Sequence, residues 1–461
     1  MTNRWQGQRV LIIGAARQGQ ALARYLSTHG AQVTLNDQSP IEDLQAARQA
    51  LAGLPITWIC GGHPLELLEN TDRVCVSGGV PLTLPLVQEA LKRGLPLTND
   101  TQIFIEACPC PVIGITASAG KTTTTTLVGR IAQAGFAGLR RIWVGGNIGS
   151  PLIAQLDQMQ AKDMAIMEVS SFQLEQMTIS PWIAAILNIT PNHLDRHGTM
   201  EAYTAAKARI LTYQGSQDAA VLGRDDPGAW NLAGQVRGQL VSFGLTQPPA
   251  SQTGIYVKDG MLYLQESQRV TALLPCETIR LRGEHNLLNV LAACAIASIA
   301  GLSAQAMQMG ISGFEGVPHR LQWVRSWRGA EWYNDSIATA PERSMAAIRS
   351  FSEPLVLVAG GRDKKLPWDD LAALIHQRVD HLIVFGEARD LILEAVGSQQ
   401  AGQRPYSISV CQTLQKAVQA AADIVQPGDV VLLSPGGTSF DQFRDFEERG
   451  ECFEKWVKEL S

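Results

Sequence analysis

No stretch of this sequence is long and apolar enough to suggest a membrane span. The nearest, Val290–Leu302, is rich in alanine and interrupted by Ser298 and Gly301. The N-terminal apolar run, Val10–Ile13, is too short for the core of a signal peptide. Charge is scarce, at 18% of residues, and neither sign dominates: 38 Lys+Arg face 43 Asp+Glu, for a formal net charge of −5. A mildly acidic chain is a poor general binder of nucleic acid, although a local basic pocket stays open to it. With 45% hydrophobic residues, the composition excludes disorder, collagen and a coiled coil. The eight cysteines, Cys60, Cys75, Cys108, Cys110, Cys276, Cys294, Cys411 and Cys452, form no C-x-x-C pair. Cys108-Pro109-Cys110 is too tight for the usual zinc knuckle. Reduced, mostly buried thiols in a soluble cytoplasmic protein are the expectation.

What remains is a globular chain of 461 residues, enough for about three domains. The first hundred residues alternate. Strands are expected at Arg9–Ile13, Gln32–Leu35, Thr57–Cys60 and Arg73–Ser77, with helices at Gln18–His29, near Ile41–Ala52 and at Leu84–Arg93. That alternation predicts a parallel, doubly wound sheet. Gly14–Gly19 opens the first helix, and Asp37 ends the second strand, as in a dinucleotide fingerprint, but Ala16 replaces the middle glycine. The turn still offers backbone N–H groups to a diphosphate. An ordinary tight turn would also carry these residues. The Pro-rich stretch Cys108–Pro111 marks a boundary, so the expected domains are 1–108, 109–313 and 314–461, all α/β. Within the second, Asp218–Leu274 reads as short strands and turns around the small-residue stretch Gln247–Gly254. In the third, Trp332–Asn334, Leu355–Ala359, His381–Phe385 and Val430–Ser434 read as strands.

The strongest local signal is Val112–Thr123, a strand running into a glycine-containing loop whose Gly120-Lys121-Thr122 begins a helix. Such a loop cradles phosphates with backbone N–H groups, places a lysine on the β- and γ-phosphates, and offers a hydroxyl to Mg²⁺. The spacing from Gly114 to Gly120 is one residue longer than in the usual phosphate loop, and Thr122–Thr126 is a poor helix start on propensity. Function overriding local preference produces such a mismatch. Glu168 ends an apolar strand, well placed for Mg²⁺ beside such a loop, and His193 follows another. Lys207 sits among Ala205, Ala206 and Ala208; taken alone it reads as a surface lysine. Asn286 and Asn289 are helical neighbours, either caps or contacts to a nucleotide base. Near the C-terminus, Pro318–Arg320, Tyr333–Thr339, Gly360–Lys364 and Ser434–Phe443 are polar clusters. The last three each follow a strand, where open α/β sheets bind ligands.

Taken together and in this order, these motifs resemble the Mur ligases, ATP-dependent amide-forming enzymes of peptidoglycan synthesis. Glu168–Glu175 and Ser439–Phe443 match the branch that adds D-glutamate. The resemblance spans the whole chain. It implies a Rossmann-like N-terminal domain, a P-loop ATPase-like central domain and a Rossmann-like C-terminal domain. It further implies that Gly120, Lys121, Thr122, Thr123, Asn286, Asn289, Arg320 and Asp335 bind ATP. Thr122, Glu168, His193 and a carbamylated Lys207 would hold two Mg²⁺ ions. Lys121, Glu168, His193 and Lys207 would be catalytic. Arg17, Gln18, Gly79, Asn147 and His193 align with contacts to the UDP-sugar substrate, UDP-MurNAc-L-Ala. Thr339, Lys364, Ser439, Phe440 and Phe446 align with the D-glutamate site. A monomer without nucleic acid or membrane partners is expected. Two departures stand out: Ala117-Ser118-Ala119-Gly120 replaces the family's G-[TS]-N-G, and Ile337 stands where some members have lysine. A Cβ at Ala117 makes a positive φ there costly.

Three rival readings compete. Another Mur ligase or a folylpolyglutamate synthase would share the ATP half, but the D-N-P-R signature of the diaminopimelate- and lysine-adding enzymes is absent. A nicotinamide dehydrogenase would leave Lys121 and Glu168 unexplained. A non-catalytic nucleotide-binding scaffold would not need Lys121, Glu168, His193 and Lys207 together.

Overall fold

The computed structural model describes residues 4–147, 149–267, 269–364, 366–399 and 402–461. The chain forms two compact units, Met1–Ile279 with His285–Gly313, and Arg280–Glu284 with Phe314–Ser461. The first unit holds two sheets and the second holds one.

The first sheet contains β1 (Arg9–Ile13), β2 (Gln32–Asp37), β3 (Ile56–Cys60), β4 (Arg73–Val76) and β5 (Leu97–Thr98), in the order β3-β2-β1-β4-β5. Every pairing is parallel. Parallel strands need crossovers, and buried runs such as Val10–Ile13 fit a sheet covered on both faces. The chain winds outward on either side of β1, so a crevice opens where β1 meets β4. The expected helix near Ile41–Ala52 is instead a 3₁₀ turn, Ile41–Leu44, followed by a short α-helix, Gln45–Ala50.

The second sheet runs from β6 (Val112–Thr116) through β7 (Ile142–Gly146), β8 (Met164–Glu168), β9 (Ile183–Ile186), β10 (Ala219–Gly223) and β11 (Gln239–Phe243). It ends with β12 (Gly254–Lys258), β13 (Met261–Glu266) and β14 (Arg269–Pro275). Its order is β14-β13-β12-β11-β10-β9-β6-β8-β7. It is parallel up to β12, and β13 and β14 extend it as an antiparallel meander. Helices Arg17–Thr28 and Asp100–Ala107 pack on the 3₁₀ segment Leu152–Gln158. Leu22, Leu26, Phe104, Leu152 and Leu156 therefore share one buried core.

The third sheet contains β15 (Gln322–Trp327), β16 (Ala330–Asn334), β17 (Leu355–Gly360), β18 (His381–Phe385), β19 (Ser407–Val410) and β20 (Val430–Gly436). Its order is β15-β16-β20-β17-β18-β19, parallel except for the β15–β16 hairpin. All eight cysteines are free; Cys75, Cys110 and Cys294 are buried and the other five are half-buried, fewer buried than expected. Among the described residues no helix is long and apolar enough to cross a membrane.

Candidate active site

Four neighbouring strands of the second sheet, β9, β6, β8 and β7, end on the same edge. From β6 the chain enters the loop Ala117–Gly120. Gly114 belongs to the strand itself, where a Cβ would lie 2.7 Å from Pro181 Cγ. Gly120 is the left-handed residue, at φ 88°, and caps the helix Lys121–Gly135. Ala117 is not among the positive-φ residues, so its Cβ costs the loop nothing. Ser118 ties the loop down: its Oγ donates to the Thr190 carbonyl at 2.9 Å and meets Tyr203 Oη at 3.0 Å. Asn188, after β9, bonds both the N–H and the carbonyl of Ala119 at 2.9 Å. These contacts hold the loop's backbone in place from residues some seventy positions away.

Lys121 Nζ donates to the Ala117 carbonyl at 2.9 Å and to Ser118 O at 3.4 Å. Thr122 Oγ1 donates to Glu168 Oε2 at 2.8 Å, and Asn147 Nδ2 donates to Glu168 Oε1 at 3.0 Å. Glu168 is 2% exposed. Thr123 is buried in the first turn of the helix. Lys207 is also buried, not on the surface as its local sequence suggested. Its Nζ donates to Ala117 O at 2.8 Å and to Thr116 Oγ1 at 3.3 Å, and lies 4.7 Å from the centre of the Tyr203 ring. Burial, then the nearby Lys121, push the Lys207 amine well below its ordinary pKa, with Glu168 pulling partly the other way.

Asn289 Nδ2 donates to Asn286 Oδ1 at 3.1 Å. A cavity of ≈ 190 Å³ beside Gly120 is lined by Ala119, Asn188, Phe243, His285 and Asn289. His193 is exposed, with φ 55°, and its ring meets Phe172 edge-on at 5.0 Å. Among the described residues no three His, Cys, Asp or Glu side chains gather as a metal cluster, so Glu168 and His193 do not form one with a third ligand.

In the first sheet, Arg17 and Gln18 begin the helix after β1, and Gly79 lies in the turn after β4. A Cβ on Gly78 would lie 3.7 Å from Gln18 Oε1 and 4.0 Å from Phe172 Cβ, which places the two turns together beside Phe172. Arg196 joins them: it lies 4.0 Å over the Phe172 ring and donates to Val80 O at 2.7 Å. Asp37 does not face outward as a ribose ligand would. Its carboxylate accepts the Ala15 N–H at 2.7 Å and the Ser39 N–H at 2.9 Å. Burial raises its pKa, but these bonds outweigh it and hold the group below the usual carboxylate value. That geometry counts against the dehydrogenase reading.

In the second unit, the ends of adjacent strands β16, β20 and β17 gather the expected polar clusters. Asp335 accepts from Leu321 N at 3.1 Å and from Ser434 Oγ at 2.9 Å. Burial pushes it up to about 7 against those two bonds and the charges of Arg320 and Arg343. Arg320 Nε is a buried donor with no hydrogen-bond partner among the described residues. Lys364 Nζ donates to Thr339 Oγ1 at 3.1 Å, and burial with Arg343 and Arg449 lowers its pKa. Ser439 is buried, Phe440 is exposed, and Phe446 starts the last helix, Phe446–Glu459.

Sequence reasoning missed Tyr203, Arg196, Arg343 and Arg449. Arg449 is fully buried and binds Ser336 Oγ at 2.9 Å, Ser336 O at 2.8 Å and Gly437 O at 3.0 Å, bracing two of the clusters. A signal existed: Arg449 lies on the apolar stripe Phe446, Gly450, Phe453 and Val457, where a charge needs a reason.

Comparison with known proteins fits this geometry. The MurD-like N-terminal domain of the Mur ligases matches residues 8–99, the Mur ligase middle domain residues 115–297, and the Mur ligase glutamate ligase domain residues 319–437. A protein of Symbiobacterium thermophilum named UDP-N-acetylmuramoylalanine--D-glutamate ligase is 39% identical over 98% of both chains. One of the same name from Geobacillus kaustophilus is 41% identical over 100% of this chain and 99% of its own. Two Thermotoga maritima structures share the fold. UDP-N-acetylmuramate-alanine ligase MurC has a TM-score of 0.58 at 17% identity, over 98% of this chain and 99% of its own. MurF ligase in complex with ADP has a TM-score of 0.57 at 18% identity, over 99% and 96%.

Proposed function

The chain belongs to the Mur ligase family, and we propose that it joins D-glutamate to UDP-N-acetylmuramoyl-L-alanine, converting ATP to ADP and phosphate, in cytoplasmic peptidoglycan synthesis. The observation that carries the reading is the hydrogen bond of half-buried Thr122 to buried Glu168 at 2.8 Å, with Lys121 and Lys207 converging on one carbonyl beside it. The names of full-length relatives support the choice of D-glutamate. Residues 1–108 are assigned to the UDP-sugar, 109–313 to ATP and 314–461 to D-glutamate.

The reaction balances in two steps. A carboxylate oxygen of the alanyl group attacks the γ-phosphorus of ATP, ADP leaves, and an acyl phosphate forms. The D-glutamate amine then attacks the acyl carbon, loses a proton and expels phosphate. Phosphoryl transfer needs positioning and charge neutralisation more than covalent help from the protein. Lys121 would turn from Ala117 and Ser118 to the β- and γ-phosphates, and the donors from the backbone would be the N–H groups of the helix's first turn, since those of Ser118 and Ala119 are held by Asn188. The cavity beside Gly120 and Asn289 takes the base. In the second unit the unpartnered Arg320 Nε is a ready donor to the nucleotide, with Asp335 next to it. Arg17, Gln18, Gly79, Asn147 and His193 serve the UDP-sugar, and Thr339, Lys364, Ser439, Phe440 and Phe446 the D-glutamate.

The donor set fits Mg²⁺. Thr122 and Glu168 offer the hard oxygens that Mg²⁺ prefers, and phosphate and water can complete its shell. When bound, Mg²⁺ would neutralise phosphate charge. Lys207 fits carbamylation for a different reason: its lowered pKa favours the neutral amine that can attack CO₂, forming an N–C bond and releasing a proton.

The test is phosphate release. It should require ATP, UDP-MurNAc-L-Ala and D-glutamate together, and Lys121→Ala should slow it at least about a hundredfold, or ~2.7 kcal/mol of barrier. Equal release with ATP alone, or with lysine in place of D-glutamate, would overturn the assignment.

A further inference from the structure

Cys108, Cys110 and Met159 bring three sulfur atoms together in a place the ligase reaction does not use. Cys108 caps the end of the helix Asp100–Ala107, its N–H donating to Phe104 O at 2.8 Å. Cys110 lies two residues on, just before β6. The two Sγ atoms are 3.5 Å apart, and Cys108 Sγ is 3.9 Å from Met159 Sδ. Cys110 is 6% exposed; Cys108 is half-buried, and Pro109 between them is exposed. A reagent can therefore reach Cys108 from solvent, whereas Cys110 is shielded behind it. One intervening residue limits the Cα separation to about 7 Å, at the upper end of the range disulfides span.

We propose that this pair is a thiol–disulfide modification site, with Cys108 the nucleophile toward a low-molecular-weight disulfide of the glutathione class and Cys110 the resolving thiol. Cys108 sulfur attacks one sulfur of the disulfide, the old S–S bond breaks, and one thiolate leaves. Cys110 then gives up its proton, attacks Cys108 Sγ in the mixed disulfide and expels the second thiolate. Two chain thiols are oxidised, and one external disulfide is reduced to two thiols. The hydrogen bond between the cysteines suits these roles. It lowers the Cys108 thiol despite burial, while the same bond and then burial raise Cys110, so the thiolate forms on the accessible sulfur. The closed disulfide would sit in the segment that joins the last helix of the first sheet to the strand feeding the phosphate loop.

The experiment treats the full chain with glutathione disulfide, blocks residual thiols and maps peptides by mass spectrometry. The expected product is a Cys108–Cys110 peptide lighter by two hydrogens and restored by dithiothreitol. Cys110→Ser should trap one glutathione on Cys108, and Cys108→Ser should lower modification of this peptide at least about tenfold. Cys110→Ala repeats the trap in a second background, and circular dichroism checks that each variant is folded. Modification falling mainly on the half-buried Cys60, Cys276, Cys411 and Cys452 would overturn the proposal. So would a failure of both Cys110 variants to hold the adduct. A pair that binds Cu(I) and resists oxidation would make this a soft-metal site instead.

Discussion

Two lysines converge on one carbonyl oxygen, that of Ala117, and they differ in what burial leaves them able to do. Lys121 is at the start of its helix, and Lys207 is 1% exposed. Taking the Lys207 charge out of water, beside a second cation, favours the neutral amine. If a carbamate on that amine supplies oxygen ligands, Lys207→Ala should be nearly inactive and acetate should restore part of the rate. Full activity in the variant, no response to acetate and a bare amine in a high-resolution map would together remove Lys207 from the site. Asp335 shows the same physics with the opposite charge. Its pKa is raised to about 7, above the ordinary 3.8, so the folded second unit holds a proton that the unfolded chain releases. Stability of that unit should fall as pH rises from about 4 to 7 and stay low above it. Asp335→Asn keeps a partner for Leu321 N–H and can donate to Ser434 Oγ. It should raise the unfolding temperature at pH 8 by at least about 2 °C and change it little at pH 4; equal shifts at both pH values would refute the linkage.

At the scale of elements, a helix begins on residues that resist it. Thr122–Thr126 are β-branched, yet the helix starts at Lys121 because Gly120 turns into it and Thr123, Thr124 and Thr125 are buried. Gly120→Ala meets two obstacles at once. Its φ is 88°, and the new Cβ would lie 2.1 Å from Asn289 Oδ1, forcing that amide away from Asn286 and Thr124. A loss of about 1–3 kcal/mol in stability is expected, with a raised KM for ATP; unchanged thermal unfolding and KM would show that the turn is tolerant. Such turns were legible in the sequence because strand, glycine and lysine are contiguous there. The apolar runs β1, β6, β8 and β20 were legible for the same reason. β5, of two residues, and β19, half-buried, carry too little periodicity to be read. The burial of Lys207 was not legible because Thr116, Ala117 and Tyr203 create it, and the first two come from ninety positions away. Arg449 could have been read from its apolar stripe, but its partners Ser336 and Gly437 could not.

For the molecule as a whole, the proposed assignment puts the D-glutamate contacts in the second unit, and a substitution among them should act on D-glutamate more than on ATP. Lys364 pairs with Thr339 in the second unit, so Lys364→Ala should raise the KM for D-glutamate strongly and that for ATP little. An unchanged KM for D-glutamate would place the acceptor elsewhere. The core shared by the first two sheets has a consequence for the chain's birth. The first sheet is complete in sequence at Thr98, but Leu22, Leu26 and Phe104 are covered by Leu152, Leu156 and Met159. At ~5–20 residues per second, a ribosome takes roughly 3–12 s to travel from Thr98 to Met159. Throughout that interval the helices flanking the completed first sheet would display an uncovered apolar face to the crowded cell. This nascent stage is where a chaperone has something to hold, and where a slowed codon tract would do the most harm.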